Sequence, residues 1–406
     1  MIKFFKSLHS FVRNFKPNTI RKAIFLLCLT LAQSSFSQTI SLKQANDLIK
    51  TKAGGIINLP DFINQDFPKI SFKKTILPSP QFIISDDPEY IRTSEAIVVK
   101  ETVQPGKVRL YVYNVNAVTK PEKMPRKITA VIKNLGKSTL HLRMLNYSSQ
   151  PPSTNYFLIG KNGLYDFFSS EESQKIIKVK PGKTVAIDPQ LEKNIVQFDE
   201  LTHGLYEFVI DQPAEIAVLQ TSTKKSGAKV YESIATIIPT GHVNAGRGLF
   251  GVSNYHVTTN KMLSTEEPVS QLIIADGIDD PWVIGKEGVS GNEAKLVGNY
   301  GVMYDVELNW KSNNGKGLAL VTWNSRTDNK WCSGMANSIL IKNKDAADAI
   351  VRIPSEQLNT KGKPEGVLVQ IFKPDPTKET QTLRFIYSPP GASCLPTPLI
   401  FVPVDL

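Results

Sequence analysis

The chain has 406 residues, of which 41% are hydrophobic and 21% charged, so it is long enough for two domains of roughly 150 residues each. The formal net charge of +11 includes six basic residues in the acid-free stretch 1–37, and the rest of the chain carries 42 Lys and Arg against 37 Asp and Glu, or +5. These charges are interspersed, so no nucleic-acid-binding stripe is expected.

Residues 1–37 have the three parts of a secretory signal peptide. Six basic residues precede the apolar run AIFLLCLTLA (23–32), and the polar stretch QSSFSQ follows it. Small residues at Ser35 and Ser37 predict cleavage after Ser37. A run of ten apolar residues is too short to cross a bilayer, which takes about twenty. We therefore expect an exported protein, extracellular, on the cell surface or in the periplasm, with no membrane span in the mature chain.

Residues 38–80 are predicted to form an N-terminal extension or linker. SLKQANDLIKTKAGG (41–55) has the pattern of a short amphipathic helix that ends at its two glycines. Four prolines between Pro60 and Pro80 then favour an extended segment leading to the first domain.

Residues 81–226 are predicted to form a β-sandwich domain. The segment KVRLYVYNV (107–115) alternates between two faces, and KITAVIKNLGKSTLHLRML (127–145) contains two strands joined at 134–137. One segment departs from this pattern, because aromatic and small residues recur every three to four positions between 153 and 170. That spacing predicts a short helix inserted between strands.

Residues 229–406 are predicted to form a second β-sandwich. Short strand patterns follow one another from VYESIATIIPT (230–240) to PLIFVPV (398–404), with no helical stripe of useful length. The predicted fold class is therefore mainly β, with two tandem β-sandwich-like domains behind a cleaved signal peptide.

Two cysteines, Cys332 and Cys394, remain after the leader with Cys28 is removed. In an oxidising compartment such an isolated pair usually forms a disulfide. Closing a loop of about sixty residues would stabilise the fold by roughly 4 kcal/mol. Two unpaired buried thiols are the alternative.

The stretch GRGLFG (246–251) matches the dinucleotide-binding pattern G-x-G-x-x-G. That fold requires a helix directly after the glycines, whereas VSNYHVTTN favours a strand. We interpret the stretch as a glycine-rich turn between strands. The nearby GVSNY (251–255) lacks the final glycine of a nucleophile elbow. We predict no cofactor and no metal, and the absence of an intact catalytic motif favours a non-enzymatic role.

Exposed aromatic rings are the best candidates for ligand contact in the second domain. WNSRTDNKW (323–331) places Trp323 and Trp331 beside polar side chains such as Arg326, an arrangement that suits sugar binding. His242 and Arg247 are further candidate ligand-binding residues. Core or rim packing of these tryptophans is the alternative. Glycan hydrolysis would require a carboxylate pair. Asp305 and Glu307 are candidates because residues two positions apart lie on the same face of a strand.

A resemblance to a known group of proteins rests on six segments: SDDPEYI (85–91), KVRLYVYNVN (107–116), VIKNLGKSTLHLRML (131–145), NYFLIGKNGLYDF (155–167), GRGLF (246–250) and VGNYGVMYDVEL (297–308). In them the chain resembles a group of uncharacterised secreted bacterial two-domain β-rich proteins. Some of those proteins also carry a copper-amine-oxidase N-terminal-like stalk module, which is not evident in this sequence. The resemblance implies two β-rich domains and export, and it assigns no catalytic residue.

Together these features predict an exported, non-enzymatic binding or structural protein of the bacterial cell envelope or extracellular space. Its expected partner is a cell-wall glycan or another envelope protein. The alternative is a carbohydrate-binding or carbohydrate-active module that uses the Trp-rich loops of the second domain. Burial of those tryptophans would weigh against that alternative.

Overall fold

The computed structural model describes residues 40–59, 67–240, 246–323, 336–344, 346–355, 365–391, 393 and 395–406. The described chain is mainly β, as predicted from the sequence. None of its helices has the length and apolar character needed to cross a bilayer. The predicted signal peptide and both cysteines lie outside the described residues.

The helices are short. In chain order they are α1 (Leu42–Lys50), α2 (Tyr156–Ser169), α3 (Pro189–Lys193) and α4 (Gly227–Val230), with a 3-10 turn at Tyr231–Ser233. Helix α1 confirms the predicted amphipathic helix, and its capping box pairs Ser41 with Gln44.

Strands fill most of the remaining described chain. The strands before residue 230 are β1 (Ile56–Asn58), β2 (Phe72–Ile76), β3 (Gln81–Ser85), β4 (Tyr90–Ile91), β5 (Ala96–Val103), β6 (Gly106–Asn116), β7 (Arg126–Asn134), β8 (Leu140–Ser153), β9 (Ile176–Val179), β10 (Thr184–Ala186), β11 (Leu201–Ile210) and β12 (Ala214–Ser222). The later strands are β13 (Arg247–Phe250), β14 (Asn254–Thr259), β15 (Leu263–Ser264), β16 (Ser270–Ile274), β17 (Val283–Lys286), β18 (Glu293–Leu296), β19 (Met303–Lys311), β20 (Gly317–Trp323), β21 (Asn337–Lys342), β22 (Ala349–Ile353), β23 (Glu365–Phe372), β24 (Gln381–Tyr387) and β25 (Thr397–Val404).

These strands form four sheets. Sheet A has the order β1-β23-β20-β25-β16, and sheet B has the order β2-β14-β19-β24-β21-β22, with β15 beside β19. Sheet C has the order β18-β17-β13-β3-β6-β11-β8-β9, with β4 beside β6, and sheet D has the order β10-β7-β12-β5. Sheets C and D enclose one core, and sheets A and B enclose another, which gives two sandwich-like pairs.

Sheet pairing crosses the predicted domain boundaries. Strands β13, β17 and β18 follow the boundary near residue 229, yet they extend sheet C of the first sandwich. Strands β1 and β2, in the predicted linker 38–80, pair with β23 and β14 of the second sandwich. Residues 40–406 accordingly form one compact unit.

The central strand β6 of sheet C is buried on both faces. Along β6, Val108, Leu110 and Val112 face sheet D, whereas Tyr111 and Tyr113 belong to the core shared with sheets A and B. The predicted alternation of β6 is therefore confirmed. A strand covered on both sides needs apolar side chains at successive positions, which explains the long hydrophobic run.

The outer faces of sheets A and D are covered by chain segments outside the sheets. Leu48 of α1, Leu59 and Phe67 pack with the outward side chains of sheet A, which include Val321 and Ile400. Tyr231 and Ile237 cover sheet D in the same way. The segment at residues 40–59 is thus an integral layer of the fold.

Helix α2 confirms the predicted insertion at 153–170. It begins at the cap Asn155, whose side chain accepts a hydrogen bond from the Leu158 amide at 3.2 Å. The helix lies between sheets C and B, where Lys161 Nζ donates to the Pro354 carbonyl oxygen at 2.7 Å. Gly163 faces the buried imidazole of His203, and a Cβ at this position would overlap that ring.

We expect Gly163→Ala to destabilise the fold by about 1–3 kcal/mol, because the added methyl group overpacks the contact with His203. Helix propensity alone would favour alanine by about 1 kcal/mol, so a net loss identifies the steric conflict. Urea unfolding followed by circular dichroism measures the change. Gly251→Ala, where a Cβ meets no atom within 4 Å, is the control. Unchanged stability of Gly163→Ala would contradict this packing.

The glycine stretch 246–251 differs from the predicted turn. Its central residues form strand β13, and the next regular element is strand β14. Gly248 has φ 136°, and a Cβ there would lie 2.7 Å from the Lys286 carbonyl oxygen. The glycine is required because two backbones approach closely, and the segment lacks the helix that a dinucleotide site requires.

Candidate functional site

A groove of about 590 Å³ lies between the two sandwiches, and we call it the inter-sandwich groove. Its charged and amide-bearing lining residues are Arg109, Asn146, Glu207, Asn254, Asp305, Lys342 and Asp348. Its apolar lining includes Leu77, Pro78, Phe167, Phe168, Ile350 and Ile386. Because sheet B, sheet C and α2 all contribute, the groove exists only when the two sandwiches are joined.

Arg109 lines the groove and connects the two sandwiches through hydrogen bonds. It lies opposite Glu207 in the register of β6 and β11, and its Nη2 donates to the Glu207 carboxylate at 2.8 Å. Its guanidinium also donates to the carbonyl oxygens of Ser253 and Gly301 and to Asn254 Oδ1, at 3.1, 3.3 and 2.9 Å. The Arg109 side chain is only 3% exposed, so this network holds the first sandwich to loops of the second.

The other two carboxylates of the groove also form ion pairs. Asp305 Oδ1 accepts a hydrogen bond from Arg384 Nε at 2.7 Å, and its Oδ2 accepts a second from Arg384 Nη2. Asp348 Oδ2 lies 2.6 Å from Lys342 Nζ. All three groove carboxylates therefore have cationic partners, which hold the carboxylate oxygens in fixed positions for hydrogen bonding to a ligand.

The apolar wall is partly open. The rings of Phe167 and Phe168 lie 5.9 Å apart between centroids, with Phe167 buried and Phe168 half-buried. Ile350 and Ile386 are half-buried beside them. Such a surface covers the apolar face of a ligand while the neighbouring amides and carboxylates meet its polar edge.

A second concavity, the hairpin cavity, has a volume of about 820 Å³ and lies between β5 and the β17–β18 hairpin. Arg247 is fully buried next to it, where Nη2 donates to Glu287 Oε1 at 2.9 Å and Nη1 donates to the Ile238 carbonyl oxygen at 2.6 Å. This placement gives Arg247, a predicted ligand-binding residue, a buried ion pair with Glu287, and its Nε, which has no hydrogen-bond partner within the described residues, is buried as well.

His203 lies in the core beneath α2. Its ring makes edge contacts with Tyr111 and Tyr113 at centroid distances of 5.3 and 6.2 Å. Neither ring nitrogen has a hydrogen-bond partner among the described residues. Burial lowers the pKa of His203 from 6.5 to about 3, so the imidazole is neutral in the folded protein.

Most of the other predicted site residues lie outside the described part of the chain. His242, Arg326, Trp331, Cys332 and Cys394 are all in this class. The backbone of Trp323 ends strand β20, but its side chain is not described. The predicted Trp-rich binding loop and the disulfide therefore stay predictions.

The described tryptophans do not form an open platform. Trp310 is 2% exposed in the core, and Trp282 packs over Gly277, where a Cβ would lie within 3 Å of the indole. Asp305 and Glu307 share the outward face of β19, as predicted, but only Asp305 lines the groove. Sequence reasoning missed Glu207 as the partner of Arg109. A charged residue on the otherwise apolar inner face of β6 was the available signal.

No group of three or more His, Cys, Asp or Glu side chains within the described ranges is arranged to hold a metal ion. In the acidic segment 275–282, Asp280 pairs with Lys74 and accepts a hydrogen bond from the Tyr304 hydroxyl at 2.6 Å. Burial and the nearby Glu89 and Asp87 raise the pKa of Asp86 well above its usual value.

Comparison with known proteins assigns no family. No family model matches the chain, and no curated protein matches it. Among solved structures, the M60 catalytic domain with the CBM51-1 and CBM51-2 domains from Clostridium perfringens ZmpB aligns at 8% identity and a TM-score of 0.15 over 87% of this chain. The alignment covers 39% of that protein's length. The STIV MCP aligns at 7% identity and a TM-score of 0.12, over 82% of this chain and 97% of the other. Scores this low carry no argument about function.

Proposed function

We propose that the chain is an exported, non-enzymatic binding protein of the cell envelope or extracellular space, and that the inter-sandwich groove is its binding surface. The observation that carries the proposal is the composition of the groove, in which a half-open apolar wall faces polar side chains already fixed by ion pairs. Binding sites of this kind have an apolar lining with a few positioned polar groups.

The ion pairs favour binding over hydrolysis. A glycosidase needs one carboxyl group that donates a proton and a second that stays ionised, about 5 to 10 Å apart. In the groove, Glu207, Asp305 and Asp348 each contact Arg or Lys. The hydrogen bond from Lys342 lowers the pKa of Asp348, which does not suit a general acid.

A cell-wall glycan is the ligand class we propose first, with another envelope protein as the second. The ring of Phe168 offers a face on which a sugar can stack, and Asn146 and Asp348 line the same groove. The proposed carbohydrate site is therefore the inter-sandwich groove, in place of the Trp-rich loop at 323–331. Export itself rests on the pattern of residues 1–37.

We expect residues 38–406 to bind isolated cell wall or a glycan array saturably, and Phe168→Ala to weaken that binding by about tenfold, or 1–2 kcal/mol. Ile350→Ala is expected to act in the same direction. The control is Ile176→Ala, which truncates a 47% exposed side chain on β9, outside the groove lining.

If Phe168→Ala and Ile350→Ala bind as tightly as Ile176→Ala and the unmodified protein, the ligand binds elsewhere and the assignment of the groove is overturned. Loss in Trp323→Ala or Trp331→Ala, with both groove variants intact, would return the site to the Trp-rich loop. If neither glycan nor wall binds, a pull-down against envelope proteins with the same variants tests the protein partner.

A further inference from the structure

The hairpin cavity has the size of a small-molecule site, since such sites commonly measure about 300–1,000 Å³. Its apolar walls come from Ile237, Leu249, Ile284 and Val289. Ile284 and Val289 are 48% and 47% exposed, so the cavity opens to solvent along the hairpin.

One carboxylate in this cavity has no cationic partner. Glu101, on β5, is only 3% exposed, and its Oε1 accepts a hydrogen bond from the Gly288 amide at 2.8 Å. It forms no ion pair with any residue in the described part of the chain. The free energy cost of burying an ionised carboxylate in this way is high unless a cation compensates it.

The two neighbouring carboxylates of the cavity are already paired. Glu287 contacts Arg247 at 2.9 Å, and Glu215 contacts Lys100 Nζ at 3.3 Å. Lys286 lines the cavity from β17. Burial, followed by the charge of Glu287, raises the pKa of Glu101 to about 7, and the Gly288 amide and Arg247 partly oppose that rise. Of the three carboxylates that line this cavity, Glu101 is thus the one that lacks a counter-charge within the described residues.

We infer that the hairpin cavity binds a primary ammonium group carried on an aliphatic stem, with the ammonium on Glu101 and the stem along Ile284 and Val289. The ammonium would supply the missing counter-charge, and the stem would cover the exposed apolar wall. A free alkylamine and a lysine side chain of a peptide share this chemistry.

The test is a titration of the full mature chain with n-pentylamine, followed by the 15N-1H resonance of Gly288, whose amide reports directly on Glu101. Binding of n-pentylamine is expected to be at least about tenfold tighter than binding of n-pentanol, which has the same stem without the charge. Affinity is expected to fall as the pH decreases from 8.5 to 5.5, because Glu101 becomes protonated. Capped lysine amide, used as a third ligand, distinguishes a peptide side chain from a free amine.

Glu101→Gln retains an oxygen acceptor for Gly288 and removes the charge. We expect it to abolish the preference for the amine and its pH dependence while the apolar contribution to binding remains. Glu293→Gln removes an exposed carboxylate from β18 of the same hairpin and is expected to change nothing. Equal affinity for amine and alcohol in the unmodified protein, or an amine preference that survives in Glu101→Gln, would overturn the inference. The inter-sandwich groove takes no part in amine binding. A negative result in the glycan-binding test therefore leaves the outcome of the amine titration unaffected.

Discussion

Replacing Arg109 with alanine is expected to lower the free energy of unfolding by about 3–5 kcal/mol, the cost of breaking a buried charge network from one side. The change leaves the Glu207 carboxylate without its partner and removes the donors to Ser253 and Gly301. Because these contacts join the two sandwiches, chemical denaturation should also become less cooperative. Urea unfolding, followed by both tryptophan fluorescence and circular dichroism, measures the two effects.

The double variant Arg109→Met with Glu207→Leu provides the critical comparison. Removing both charges leaves no unpaired ion, so its stability should exceed that of Arg109→Ala. Arg143→Ala, which breaks the exposed pair with Glu172, should cost less than about 1 kcal/mol. If Arg109→Ala costs no more than Arg143→Ala, the inter-sandwich network does not stabilise the fold.

His203 is expected to make the protein lose stability in acid. The folded state keeps its imidazole neutral down to about pH 3, whereas the unfolded chain protonates it near pH 6.5. The unfolded state then binds more protons, so the free energy of unfolding falls as the pH decreases from 6.5 toward 3. The full effect is on the order of 5 kcal/mol, with a slope of at most about 1.4 kcal/mol per pH unit.

His203→Leu should flatten this dependence when denaturation is measured at intervals between pH 7 and 3. The slope is the readout, because altered packing in the variant shifts stability equally at every pH. The exposed His141 provides the control variant, His141→Gln. An unchanged slope in His203→Leu would show that His203 does not cause the acid sensitivity.

Glu101 has the opposite effect in an overlapping window. Its folded-state pKa of about 7 is above the ordinary value of 4.5, so the folded protein binds more protons and loses stability as the pH rises from 4.5 to 7. Glu101→Gln should therefore be relatively more stable above pH 7 than the unmodified protein, with the difference vanishing below pH 4.5. Measuring His203→Leu in both backgrounds separates the two contributions.

The candidate sites show the limits of sequence reasoning most clearly. Arg247 is a predicted ligand-binding residue, but it forms a buried ion pair with Glu287, forty positions later in the chain. The inter-sandwich groove gathers side chains from Leu77 to Ile386. No local pattern connects residues so far apart, because their proximity depends on how the sheets pack.

Strand pairing shows the same limit within the fold. The two strands predicted on either side of residues 134–137 exist, but this turn carries the chain from sheet D to sheet C, and the turn at 181–182 carries it back from β9 to β10. Thus β7 and β10 pair in sheet D, and β8 and β9 pair in sheet C. A short polar turn predicts a change of direction and does not by itself distinguish a hairpin from a crossover between sheets.

The sequence by itself determined the mainly β class, the short helices α1 and α2, and the strand that follows the glycine stretch at 246–251. These features depend on side-chain periodicity and capping within about ten neighbouring residues. Only the tertiary structure decided that segments near residues 56, 72 and 247 join sheets across the predicted boundaries. It also placed Arg109 in a buried ion pair with Glu207, and buried Glu101 with a hydrogen bond from the Gly288 amide. Partner choice depends on which apolar faces bury each other across the whole chain, and that is a long-range property.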